Sequence, residues 1–123
     1  MKNILENLKE KVEKEKEIVG VAIFGSSLKG KGRDIDICLF LDKKYKNIEM
    51  SKKRLEFLKD FSELDIQIFQ QLPIYIRMRI IKEGKIILCK NEDFLYELAI
   101  NTIKEFGLYK KVYDMYLNEV ENG

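Results

Sequence analysis

Two aspartates separated by one residue, Asp34-Ile35-Asp36, open an apolar run of this chain, and a third, Asp65, sits inside another. On an extended strand residues i and i+2 project to the same face, so Asp34 and Asp36 point one way and Ile35 the other. Adjacent carboxylates repel unless positive charge lies between them. A hard divalent cation such as Mg²⁺, which takes oxygen ligands, resolves that repulsion. Upstream, another apolar run ends in Gly25-Ser26, and residues 27–33 carry Lys29, Lys31 and Arg33 among two further glycines. A Gly-Ser bend can hold phosphate oxygens through backbone N–H groups. The loop cations suit triphosphate oxygens, Lys29 foremost, because it follows the bend by a single helical turn. Together the segment reads as a metal–triphosphate site.

Nucleotidyl and phosphoryl transfer generally use metals caged by several carboxylates. Asp65 is the natural third ligand, since it faces away from the apolar side of its own run, and Glu63 on that side is the fallback. Each signal is ordinary alone. Asp-x-Asp often marks a solvated strand end, and Gly-Ser and cationic loops are common on surfaces. The order of strand, bend, glycine-rich loop, Asp-x-Asp strand and acidic strand carries the inference.

The elements that must position these groups follow from periodicity. Ile4, Leu5, Leu8 and Val12 predict an amphipathic helix over 3–16. Residues 17–24 form a β-branched apolar run and predict a buried strand. Residues 34–41 predict a second strand, with Ile35, Ile37, Leu39 and Leu41 on one face and Asp34, Asp36, Cys38 and Phe40 on the other. A helix is expected over 47–61 with Leu55, Leu58 and Phe61 inward. A third strand is expected over 63–69, with Leu64, Ile66 and Ile68 toward the core. After Pro73 a helix over 74–82 places Ile74, Tyr75, Ile76 and Met78 on the sheet and ends at Gly84 in the usual C-terminal manner. A fourth strand over 85–89 and a long helix to about residue 118, with a break expected at Gly107, complete the order. This predicts a small mixed α/β (α+β) domain, a sheet of four strands flanked by helices.

With 123 residues and no linker, one domain over 1–123 is expected. A net charge of +2 gives no strong nucleic-acid signal. Histidine is absent, which excludes Ser–His and Cys–His nucleophilic mechanisms and most zinc sites. Cys38 and Cys89 lie in apolar runs and are expected as buried free thiols, a single disulfide being the alternative. No membrane span or signal peptide is evident, so a cytoplasmic protein is expected. Phe94, Tyr96, Phe106, Tyr109, Tyr113 and Tyr116 recur at helical spacing, which favours core or partner packing over base stacking.

Gly25-Ser26, Asp34-x-Asp36 and Asp65 resemble the signature of the DNA polymerase β-type nucleotidyltransferase superfamily. More narrowly they resemble its minimal nucleotidyltransferases, small prokaryotic proteins often encoded beside a HEPN-domain partner. The resemblance covers roughly residues 17–90. It implies the polymerase β-like fold, with Gly25 and Ser26 on the nucleotide's phosphates. It also implies Asp34 and Asp36 on two Mg²⁺ ions, and Asp65 on one of them and on the acceptor hydroxyl. The donor it implies is ATP or another nucleoside triphosphate; the acceptor can be a tyrosine of the HEPN partner. Three features depart from the family pattern. The seven residues between Ser26 and Asp34 make a short loop, Arg33 stands where serine is common, and Leu28-Lys29-Gly30 replaces Ala-Arg-Gly. An antitoxin that neutralises its partner mainly by binding is the alternative, a homo-oligomer stays open, and an α/β domain with incidental acidic residues is the bland reading.

Overall fold

A computed structural model describes residues 3–25 and 35–122. Helix α1 (Ile4–Lys14) is followed by strands β1 (Ile18–Phe24) and β2 (Ile35–Leu41), helix α2 (Asn47–Asp60) and strand β3 (Leu64–Ile68). A 3-10 turn at Phe69–Gln71, helix α3 (Ile74–Glu83), strand β4 (Lys85–Cys89) and helix α4 (Glu92–Asn122) complete the chain. The sheet order is β3-β2-β1-β4. β1 runs antiparallel to β2 and β4, whereas β2 and β3 are parallel. A parallel pair needs a crossover, and α2 supplies it.

Strand alternation divides the core. Ile37, Leu39 and Leu41 join Leu8, Val12, Met50, Phe57 and Ile66 on the face covered by α1 and α2. Cys38 and Phe40 join Phe69 and Ile80 on the opposite face, against which Leu95 and Leu98 of α4 pack. β2 is therefore covered on both faces, which is why its sequence reads as nearly continuous apolar residues. Gln70 extends the β2–β3 edge: its side chain donates to the Leu41 carbonyl at 2.9 Å and accepts from the Leu41 N–H at 3.2 Å. Asn3 and Asn91 cap α1 and α4 by accepting the N–H groups of Glu6 and Phe94.

Several expectations change. Of the residues expected inward on α2, Leu58 and Phe61 at its end pack on the core and Leu55 is exposed; Met50 and Phe57 are buried with them, and Lys53 and Arg54 are half-buried on the same side. Lys53 and Arg54 turn inward because their ends are used: Lys53 reaches Glu15 and Glu17, and Arg54 Nε donates to the Ile66 carbonyl at 2.7 Å. Tyr75 is exposed, while Met78 and Ile80 carry the packing of α3. Gly84 ends α3 at φ −68°, outside the left-handed region. Its glycine is needed for space, since a Cβ there would lie 2.5 Å from the Ile80 carbonyl oxygen. Cys38 is buried, but Cys89, closing the edge strand β4, is exposed. Helix α4 runs through Gly107 unbroken. Of its aromatic residues Phe94 packs on the core, whereas Tyr96, Tyr109, Tyr113 and Tyr116 are exposed. From Gly107 to Glu121 every residue of α4 is exposed.

Candidate active site

The acidic residues meet where β1 ends and where β2 and β3 begin. Phe24 pairs with Asp36 across the β1–β2 ladder, so the bend at Gly25 begins beside Asp36. Gly25 has φ +77°, the left-handed region, and a Cβ built on it would collide with the Asp36 carboxylate. Glycine is demanded twice there, by backbone and by space.

Across the parallel ladder Asp36 is the register partner of Asp65. Asp36 shares its face of β2 with Cys38 and Phe40, and Asp65 lies opposite the buried Leu64, Ile66 and Ile68. Alternation thus projects both carboxylates from the face on which α3 and α4 lie. Both are half-buried, and neighbouring strands stand about 4.8 Å apart. Two carboxylates on adjacent strands, partly withdrawn from water, repel unless positive charge lies between them. Oxygen-only donors suit a hard ion such as Mg²⁺ rather than zinc, which favours nitrogen and sulfur. Gln67, two residues along β3, donates from Nε2 to Asp65 Oδ1 at 3.2 Å. Cys38, the register partner of Gln67, lies in the floor. Complete burial pushes its thiol well above the ordinary cysteine value and keeps it a neutral packing group.

The structure thus brings Gly25, Asp36 and Asp65 together. Ser26, Lys29, Arg33 and Asp34 lie outside the described residues. Among the described residues no group of three or more His, Cys, Asp or Glu side chains could hold a metal. Glu63, the fallback, precedes β3 and is exposed. Sequence reasoning missed the Gln67 contact; its signal was spacing, because residue i+2 on a strand shares the face of Asp65.

The family model for polymerase beta nucleotidyltransferases matches residues 6–93. The chain belongs to this family. The matched segment of the nucleotidyltransferase contains β1, the bend, all of β2 and all of β3. A protein of Methanocaldococcus jannaschii, provisionally named a protein adenylyltransferase, is 36% identical over 74 residues. That match takes in 58% of this chain and 56% of the relative, so the nucleotidyltransferase spans about half the length of the curated relative it matches. Among solved structures, a toxin–antitoxin complex with AMP-PNP contains a chain similar at TM-score 0.68 and 17% identity, over 94% of this chain and 97% of that one. A second match comes from a tri-AMPylated Shewanella oneidensis HEPN toxin in complex with an MNT antitoxin. Its TM-score is 0.66 at 15% identity, over 94% of each chain. At such identities these likenesses establish the shared fold, the polymerase β-like sheet with its flanking helices.

Proposed function

We propose that this nucleotidyltransferase moves AMP from ATP to a hydroxyl group on a partner protein, a tyrosine of a HEPN-domain toxin. The observation that carries the reading is the register opposition of Asp36 and Asp65 beside the Gly25 bend. The family match supports nucleotidyl transfer, the name of the archaeal relative supports a protein acceptor, and the AMPylated toxin complex among the fold neighbours supports a HEPN partner.

In this reading the backbone N–H groups of Gly25 and Ser26 orient the donor's phosphates, and Lys29 and Arg33 offset their charge. Asp34, Asp36 and Asp65 are the residues that would hold the two Mg²⁺ ions of this reading, Asp65 one of them. Those ions, when bound, supply the Lewis acidity that lowers the pKa of the acceptor hydroxyl and stabilises departing pyrophosphate. Asp65 takes the hydroxyl proton. The acceptor oxygen then bonds to the α-phosphorus, the bond from that phosphorus to the α,β-bridging oxygen breaks, and pyrophosphate leaves with the electron pair.

The exposed C-terminal half of α4 supports a protein partner. Leu108, Tyr109, Val112, Tyr113, Met115 and Tyr116 are all more than 50% exposed, a patch that solvent alone does not favour. The same observation favours a second reading, an antitoxin that works mainly by binding. Incubation with Mg²⁺ and ATP labelled at the α-phosphate, with and without the co-purified partner, separates the two. Metal-dependent label on the partner is expected. Losing a metal ligand removes several kcal/mol of transition-state stabilisation, so Asp36→Asn should slow transfer at least ~100-fold. Neutralisation by Asp36→Asn at full strength with no labelling by the wild type would favour binding alone.

A further inference from the structure

We infer that Gln67 is a positioning residue for the metal site, holding the Asp65 carboxylate in the orientation that a cation needs. The inference rests on the nucleotidyltransferase reading. Its basis is the hydrogen bond from Gln67 Nε2 to Asp65 Oδ1 at 3.2 Å. Both residues lie on β3 and on the same face, and both are half-buried. A carboxylate only accepts, so the end of the glutamine facing it is the NH₂ group. That bond ties one oxygen of Asp65 and restricts the carboxylate's rotation, while the other oxygen stays available to a ligand.

The chemistry of residue 67 fits this role. A lysine or arginine would also bond Asp65, but its charge would compete with a bound cation. A glutamate would set a further anion beside Asp36 and Asp65. A neutral donor orients the ligand without changing the charge of the site. Hydrogen-bond partners of metal-ligating carboxylates act in this way, and their loss typically weakens metal affinity or activity about 10–100-fold.

The test compares wild type with Gln67→Met, which keeps length and loses the donor. Manganese binding is followed from the electron paramagnetic resonance signal of the free ion in the presence of a non-hydrolysable ATP analogue. Transfer rates are measured over a range of Mg²⁺ and ATP concentrations. We expect manganese affinity to fall about 10-fold or more. We also expect kcat to fall with ATP KM unchanged, and activity to return as Mg²⁺ is raised, which a misfolded protein would not show. Gln67→Glu, of nearly the same shape, is the second variant. It cannot donate when ionised and should lose transfer despite a wild-type circular dichroism spectrum. Manganese affinity and kcat within twofold of wild type in both variants would overturn the inference while leaving the transferase reading standing. A wild-type protein that binds no manganese would overturn both.

Discussion

Asp36 and Asp65 face one another across the parallel β2–β3 ladder, one rung in from where both strands begin. Directly opposed like charges in a sheet are destabilising, by up to about 1 kcal/mol. The proposed function has a cation between the two carboxylates offset that repulsion. Asp65→Asn keeps an oxygen that can accept from Gln67 and removes one charge. In metal-free buffer its melting temperature should equal or exceed that of wild type. Added Mg²⁺ should raise the melting temperature of wild type but not of the variant. A large loss of stability in metal-free Asp65→Asn would count against opposed charges as the cause.

Gly25→Ala tests the bend. A non-glycine residue at φ +77° costs about 1–2 kcal/mol, and the added methyl collides with Asp36. Since 1 kcal/mol moves the midpoint by about 4 °C in a protein of this size, calorimetry should show a fall of ~4 °C or more. Nucleotide and manganese affinity should fall with it, because the methyl displaces Asp36.

The ion-pair hub between α1, β1 and α2 predicts an acid limb. Lys53 contacts Glu15, Glu17 and Glu56 at 2.7–3.2 Å, and Lys11 reaches Glu56 and Asp60. The hydrogen bond from Lys53 is the foremost cause holding Glu17 and Glu56 below the usual glutamate value of 4.5. Depressed carboxylates bind fewer protons folded than unfolded, so stability rises with pH through that region. Their contribution is present above pH ~4.5 and lost as pH falls through the depressed folded values. Urea midpoints should be flat from neutrality to about pH 5 and decline below. Lys53→Met should cost about 1 kcal/mol at pH 7 and make the acid limb shallower.

The pattern of β2 and β3 was legible because alternation and burial on two faces leave a strong mark: Ile37, Leu39 and Leu41 to one side, Cys38 and Phe40 to the other. The face of α2 was legible in part, since Leu58 and Phe61 pack on the core but Leu55 is exposed. Lys53 and Arg54, half-buried beside Met50 and Phe57, are charged and hidden from an apolar count, although 50, 53, 54 and 57 follow helical spacing. Gly84 misled for a related reason, since its need is clearance from Ile80 rather than a left-handed backbone. The meeting of Asp36, Asp65 and Gly25 at neighbouring strand ends was readable from residue type and spacing. The Gln67 contact was not, because a lone glutamine on a strand carries no chemistry until its neighbour is known.

Exposure of α4 beyond Phe106 predicts that this half adds little to the stability of the sheet and its covering helices. Deleting residues 107–123 should leave the melting temperature within about 2 °C of wild type and abolish capture of the partner. A methyl at Gly107 would meet nothing within 4 Å, so Gly107→Ala should raise helicity and stabilise this helix by about 0.5–1 kcal/mol. Thermal melts followed by circular dichroism on the deletion variant and on Gly107→Ala, beside wild type, check stability and helicity, and co-purification checks capture.

In the proposed function Asp36 and Asp65 share one cation. Crystals grown with manganese and a non-hydrolysable ATP analogue, measured by anomalous scattering, test it most directly. A peak is expected within about 2.2 Å of an oxygen from each carboxylate, with the analogue's phosphates on its far side. Bound nucleotide with no such peak, or a manganese ion held away from both aspartates, would contradict it.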